Sequence, residues 1–134
     1  MKREFVILLV LVAIGLVFFG YQYFSSAVAT PSAEIPSSTE IPAGATVITL
    51  TKDGYTPDTL SLNVGDTVAF RSVTGELFWP ASNLHPSHLV YPEFDPEEPI
   101  QPDAVWSFTF TKPGEWKYHD HLAPYYTGVI TVTE

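Results

Sequence analysis

The sequence predicts an all-β domain, a Greek-key β-sandwich of about seven short strands. Beyond residue 44 the chain alternates β-branched and aromatic runs with turn signals rich in glycine, proline and aspartate. No stretch of this region repeats apolar residues at the spacing of an amphipathic helix. These features together favour two packed sheets around a single apolar core.

Each predicted strand is a short run that ends at a turn. Leu60, Leu62 and Val64 alternate with polar residues up to a Gly-Asp turn, and Val68 and Phe70 alternate in the next run, so we expect these side chains to face the core. The tryptophan and phenylalanine side chains are interpreted as core and rim of the sandwich. The predicted strands are residues 46–50, 59–64, 67–73, 89–91, 105–111, 115–118 and 128–133.

Residues 93–103 are predicted to form a surface loop. The segment is acidic, and its prolines remove hydrogen-bond donors that a sheet ladder needs. We interpret Glu93, Asp95, Glu97 and Glu98 as a solvated run.

The N-terminus predicts export of the domain. Lys2 and Arg3 precede an uncharged apolar run that is long enough to span a bilayer, so residues 1–24 are expected to be a signal anchor or a signal peptide. The small residues at 27–29 match a cleavage site, which keeps both alternatives open. Either one makes the remaining chain extracytoplasmic, membrane-anchored or secreted.

The rest of the chain divides into a linker and a domain. Residues 25–44 are rich in serine, alanine, threonine and proline and cannot bury enough apolar surface to offset ordering, so they are expected to be a flexible linker. Residues 45–134 are expected to form the folded domain.

Composition excludes several functions. The chain of 134 residues has 15 acidic and 6 basic side chains and a formal charge of -9, which argues against nucleic acid as a partner and mildly favours cations. It has no cysteine, so it can form neither a disulfide nor a thiolate–metal bond.

The four histidines of the chain fall into two pairs, His85 with His88 and His119 with His121. Residues two apart in a strand point to the same face, so the second pair can converge on one ion. Pro86 stiffens a turn that can point the first pair in one direction. One such pair is more often incidental, but the two together favour a metal site of four imidazoles.

An all-imidazole site suits either Cu(II) or Zn(II). Copper is the first expectation because it has the higher intrinsic affinity for nitrogen ligands, and zinc is the alternative.

Three segments, residues 64–70, 108–118 and 127–132, read VGDTVAF, FTFTKPGEWKY and TGVITV. In these segments the chain resembles the cupredoxins, small copper-binding β-sandwiches that include plastocyanin. The resemblance covers most of residues 45–134. It implies the sandwich fold and the end of the sandwich at which a metal would lie.

The metal ligands of that family are only partly present. In cupredoxins they are a histidine before a short strand and then a cysteine, a histidine and a methionine after the tyrosine-containing strand. With Gly128 as the closing glycine, these positions correspond to His88, Asp120, Ala123 and Tyr126. Blue-copper electron transfer depends on the copper–thiolate bond, so the resemblance does not transfer that function.

The direction of the side chains leaves two arrangements open. Asp120 occupies the position that faces copper in the family, whereas His119 and His121 should face the other way. The preferred arrangement has a twisted or bulged strand end that turns both histidines inward. The other uses His88 and Asp120 with one more histidine. Asp120 is also placed to orient an imidazole.

The sequence therefore predicts a membrane-tethered module that holds or delivers copper. The first alternative is a mononuclear copper or zinc enzyme with an open coordination position, although no nucleophile arrangement supports catalysis. The second is a metal-free interaction domain. The sequence does not identify a protein partner.

Overall fold

The computed structural model describes residues 38–134, which form eight strands. The predicted signal segment and most of the predicted linker lie outside these residues. Within the described part, no helix has the length and hydropathy needed to cross a bilayer. The strands are β1 (Thr46–Thr51), β2 (Gly54–Thr56), β3 (Thr59–Asn63), β4 (Thr67–Ser72), β5 (Pro80–Ser82), β6 (Val105–Thr109), β7 (Gly114–Asp120) and β8 (Thr127–Thr133).

The strands form two four-stranded sheets, one in the order β2-β1-β4-β6 and the other in the order β3-β8-β7-β5. Two pairs are parallel, β1 with β4 and β3 with β8, and the remaining neighbours are antiparallel. The predicted all-β sandwich is confirmed. β2 was not predicted, because it is a three-residue strand that only closes a hairpin with the end of β1.

The core lies between the sheets and is strongly aromatic. Val68 and Phe70 are fully buried, as the alternation predicted. Leu62 is also buried, but Val64 is 41% exposed because it lies beyond the end of β3, at the turn. The largest fully buried aromatic side chains are Phe70, Phe78, Tyr91, Phe94, Phe110 and Tyr118.

The predicted strand at residues 89–91 is wrong. These residues form a turn, and Pro80–Ser82 supplies the strand that pairs with β7 instead. Tyr91 buries its ring in the core, while Leu89 and Val90 are 72% and 48% exposed. The apolar run therefore anchors a loop through one side chain.

Residues 93–103 are also not simply a surface loop. Phe94 is fully buried, with its ring centroid 5.2 Å from that of Phe108, and Ile100 is 4% exposed. Glu93 stays at the surface and forms an ion pair with Lys112 at 2.9 Å. The segment is folded against the sandwich because Phe94 and Ile100 fill its core.

A glycine fixes the contact between β7 and β8. Gly128 lies opposite Tyr118 in the ladder, and a Cβ atom at this position would overlap the ring and hydroxyl of Tyr118. The buried ring of Tyr118 therefore lies directly against the β8 backbone. This contact fixes the position of Tyr118, the residue directly before His119.

Candidate metal centre

The four histidines come together on one face of β7. His119 lies on β7 and His121 directly follows it, and both alternate with the interior residues Tyr118 and Asp120. The segment that follows β5 brings His85 and His88 over the same outer face. Each ring offers one nitrogen, and these four atoms lie within 4.8 Å of one another.

Two pairs of ring nitrogens are spaced like neighbouring ligands on a common ion. His85 Nδ1 lies 3.3 Å from His119 Nε2, and His121 Nδ1 lies 3.0 Å from His88 Nε2. Bond lengths of about 2.0 to 2.1 Å place neighbouring ligand nitrogens roughly 2.9 to 3.4 Å apart in square or tetrahedral geometry. The donor set therefore fits a single Cu(II) or Zn(II) ion.

Two of the rings are oriented by acceptors behind them. His119 Nδ1 lies 3.0 Å from Asn83 Oδ1, and His88 Nδ1 lies 2.5 Å from Asp95 Oδ2. Since both partners are acceptors, each Nδ1 carries the ring proton and donates a hydrogen bond, and each Nε2 presents a lone pair to the cluster. This is the arrangement by which proteins orient imidazole ligands for metals.

The segment with the first histidine pair is held tightly. Its backbone turns at Leu84, whose carbonyl accepts from the N–H of His88 at 2.8 Å. Ser82 Oγ donates to the His88 carbonyl at 2.7 Å. His88 itself has a φ of 52°, a left-handed conformation that costs energy for residues other than glycine and recurs at functional sites.

Burial divides the rings into two kinds. His88 and His119 are 4% and 3% exposed, whereas His85 is exposed and His121 is half-buried. The centre therefore has two buried rings with fixed tautomers and an edge formed by His85 and His121 that solvent reaches.

The electrostatics of the cluster favour the neutral form of His119 and His121. Burial, together with the neighbouring imidazoles, lowers the pKa of His119 to about 4. Burial and the nearby rings of His88 and His85 also lower the pKa of His121. Both side chains are therefore unprotonated near neutral pH, which is the state that binds metal.

Asp95 remains an anion beside the cluster. Burial raises the pKa of Asp95, but hydrogen bonds from the Glu97 N–H, His88 and Trp79 outweigh burial and lower it. The carboxylate accepts the Trp79 indole N–H at 2.7 Å, and the indole ring lies 4.5 Å from the ring of His121. Asp95, Trp79 and Asn83 thus support the histidines.

Sequence reasoning missed a site role for Asp95 and Asn83. The signal for Asp95 was Phe94, a large apolar residue within an acidic run. Such a residue anchors its neighbours to the core.

Asp120 lies outside the nitrogen cluster. It is 1% exposed and accepts the Tyr55 hydroxyl at 3.2 Å and the N–H groups of Trp79, Leu122 and Ala123 at 2.8 to 2.9 Å. None of these partners is an imidazole. The carboxylate faces the interior and fixes the end of β7 to the opposite sheet.

Neither of the two expected arrangements is the observed one. The strand end does not turn His119 and His121 inward, and Asp120 does not join them. Instead the loop with His85 and His88 folds over the outer face. Tyr126 also lies elsewhere, because its hydroxyl donates to the Lys52 carbonyl at 2.8 Å. The side chains of Asp120 and Tyr126 help to line a separate cavity of about 440 Å³ that the histidines do not line.

No protein-family model and no curated protein matches the chain. Solved structures of amicyanin do match it. A reduced tryptophan-to-tyrosine variant has a TM-score of 0.61 at 22% identity, covering 72% of this chain and 90% of that chain. An oxidised methionine-to-lysine variant has a TM-score of 0.61 at 25% identity, covering 78% and 97%.

The domain has the cupredoxin fold. A third amicyanin structure, the reduced Cu(I) form of a proline-to-glycine variant at pH 4, has a TM-score of 0.60 at 22% identity and covers 72% of this chain and 90% of that chain. The resemblance seen in the sequence is confirmed at the level of the fold. This cupredoxin-like domain lacks cysteine, and its histidine cluster could hold a metal ion.

Proposed function

We propose that the domain binds one copper ion through His85, His88, His119 and His121, and that it holds or delivers this ion outside the cytoplasm. The observation that supports the proposal is the convergence of four imidazole nitrogens from two distant segments to within 4.8 Å. Copper is preferred to zinc because neutral nitrogen ligands bind Cu(II) more tightly than Zn(II).

Two of the proposed ligands are buried and one is exposed, which supports a site that both retains copper and exchanges it with other ligands. The two buried rings keep their tautomers fixed by Asn83 and Asp95, which favours retention of the ion. His85 is exposed, and Leu84 beside it is 66% exposed, so an incoming ligand can reach this edge of the centre. An accessible edge is what transfer to another protein requires.

Export and tethering are part of the proposal. Lys2, Arg3 and the following apolar run support a domain placed outside the cytoplasm, either anchored or secreted.

Two other functions have less support. Electron transfer of the blue-copper kind needs a thiolate ligand, and the chain has no cysteine. Hydrolytic or redox catalysis at a metal usually needs an open position, whereas four protein nitrogens complete a four-coordinate site.

The experiment is a titration of the fragment 35–134, which contains all eight strands, with Cu(II) and Zn(II), followed by the paramagnetic resonance spectrum of the copper form. We expect saturation at one equivalent and nitrogen hyperfine structure. Changing each histidine in turn to alanine should weaken binding. Glu98→Gln, an exposed change of charge, is the matched control and should leave binding unchanged.

A wild-type fragment that binds neither ion stoichiometrically would contradict the proposal and favour a metal-free interaction domain. Binding that survives the loss of all four histidines would contradict it as well.

A further inference from the structure

We propose that Asp95 is a positioning residue that makes the centre prefer Cu(II) over Cu(I). The inference rests on the proposed copper binding and deepens it. The observation behind it is that one partly buried carboxylate hydrogen-bonds a proposed ligand, His88, and also the Trp79 indole, which packs on a second proposed ligand, His121.

The contacts of Asp95 are specific. Its Oδ2 accepts from His88 Nδ1 at 2.5 Å, and its Oδ1 accepts from the Trp79 indole at 2.7 Å and from the Glu97 N–H at 2.8 Å. The indole ring packs on His121, with centroids 4.5 Å apart and planes inclined by 34°. Asp95 therefore acts on His88 directly and on His121 through Trp79.

The position of the carboxylate is set by the core. Phe94 is fully buried among the aromatic side chains of the sandwich, so the next residue has little freedom to move. The side chains of Asp95 and His88 are 16% and 5% exposed. Charge interactions are stronger at such sites than in water.

The charge of the bound ion determines how much the Asp95 carboxylate stabilises it. The four proposed ligands are neutral, so the positive charge of a bound ion is not balanced by a ligand. A carboxylate that accepts the Nδ1 proton of a ligand ring makes that ring more basic and places a negative charge near the ion. A divalent ion gains more from this charge than a monovalent ion at the same place.

Asp120 does not provide the same effect. Its carboxylate is also buried, but it accepts the Tyr55 hydroxyl and backbone N–H groups on the interior side of β7. Among the acidic side chains of residues 38–134, Asp95 is the one that hydrogen-bonds a histidine ring.

The test is Asp95→Asn in the fragment 35–134. The measurements are the affinities for Cu(II), Zn(II) and Cu(I) by competition with chelators, and the reduction potential of the copper form. We expect a loss of about 10- to 100-fold for Cu(II) and Zn(II) and a smaller loss for Cu(I). Each tenfold difference between the two copper states raises the potential by about 59 mV.

A second readout needs no metal. In the metal-free wild type, nitrogen NMR should show the proton of His88 on Nδ1, as its carboxylate partner requires. In the Asp95→Asn variant the side-chain amide can donate to Nδ1, so the proton is expected to move to Nε2 and block the nitrogen that faces the cluster.

Glu97→Gln is the matched control. It removes the same charge two residues away, from an exposed side chain, and keeps the backbone N–H that binds Asp95. The potential of this variant should stay at the wild-type value.

Some outcomes would overturn the inference. Equal losses for Cu(II) and Cu(I), with an unchanged potential, would reduce Asp95 to a structural role. A wild type that binds no copper would overturn the proposed function itself, and the wild-type titration shows this before any variant is made.

If Asp95→Asn does not fold, Trp79→Phe replaces it. This change keeps an aromatic ring beside His121 and removes one donor from the carboxylate, so more of its charge acts on His88. The potential should then fall, and a rise or no change would contradict the inference.

Discussion

His119 and His85 differ most in burial among the four proposed ligands. His119 is 3% exposed and tied to Asn83, whereas His85 is at the surface. Water can replace an exposed ring as a metal ligand, but the loss of a buried ring leaves a coordination position that water does not readily reach. We expect His119→Ala to weaken Cu(II) binding at least roughly tenfold more than His85→Ala, a difference of about 1.4 kcal/mol.

Competition with a chelator of known affinity measures this difference. Equal losses for the two variants would contradict the division of the centre into buried and exposed ligands.

The lowered pKa of His119 predicts how the stability of the metal-free domain depends on pH. Its pKa in the folded protein is about 4, below the ordinary value of 6.5. Between these values the unfolded chain binds more protons, so the free energy of unfolding should decrease as the pH falls. The decrease begins near pH 6.5 and is complete near pH 4 for this side chain.

Urea unfolding of the metal-free fragment at pH 7, 5.5 and 4 measures the effect. His119→Gln should make the dependence shallower, because glutamine does not titrate. An equally steep dependence in this variant would show that other groups cause it.

The sequence was sufficient to predict the four histidines as a group, since their pairing in two short motifs is unusual. It was not sufficient to predict Asp95 as their support. An acidic residue in an acidic run is ordinarily solvated, and only the burial of Phe94 brings this one beside His88.

At the scale of the elements, the loop after β5 connects the core to the proposed centre. Phe94→Ala should destabilise the domain by about 3 to 5 kcal/mol, the usual cost of emptying a buried aromatic site. Because Asp95 is adjacent, the same change should weaken Cu(II) binding although Phe94 touches no histidine. Phe94→Leu is the milder variant if the alanine variant does not fold.

Leu62→Ala is the control for this prediction. Leu62 is buried in the same core from β3, which lies at the opposite edge of its sheet from β5, so this change should lower stability without lowering copper affinity. Denaturant unfolding and copper titration together separate the two effects. Unchanged copper affinity in the Phe94 variants would contradict the link between the loop and the centre.

The contact between β7 and β8 gives a second prediction at this scale. Gly128→Ala places a methyl group where the ring of Tyr118 lies, and this ring is fully buried. Overpacking of this kind should cost about 1 to 3 kcal/mol of stability.

A double-mutant cycle with Tyr118→Leu tests the cause. The smaller side chain leaves room for the methyl group, so the combined loss should be less than the sum of the single losses. Additive losses would mean that the ring does not cause the effect.

Regular alternation made the long strands predictable, and the short ones were missed for a physical reason. β5 contains three residues and begins with Pro80 at the edge of its sheet, where a missing N–H is tolerated. Residues 89–91 resemble a strand in composition, but only Tyr91 is buried. Which of these segments pairs with β7 depends on tertiary contacts.

At the scale of the whole molecule, the domain has the cupredoxin fold, and its four histidines form one cluster beside the end of β7. On the interior side, the end of β7 carries Asp120, whose carboxylate accepts four hydrogen bonds. His119 and His121 lie on the outer face, and the loop with His85 and His88 covers them. The position of the loop after β5 decides which face of β7 the two histidine pairs share, and the path of this loop is not visible in local sequence.

A crystal structure of the copper-loaded fragment, with anomalous scattering at the copper edge, is the direct test of copper binding by the four histidines. The predicted result is one copper peak within about 2.0 to 2.1 Å of His85 Nδ1, His88 Nε2, His119 Nε2 and His121 Nδ1. A peak on the interior side beside Asp120, or a protein soaked with copper that shows no peak at the histidines, would contradict it.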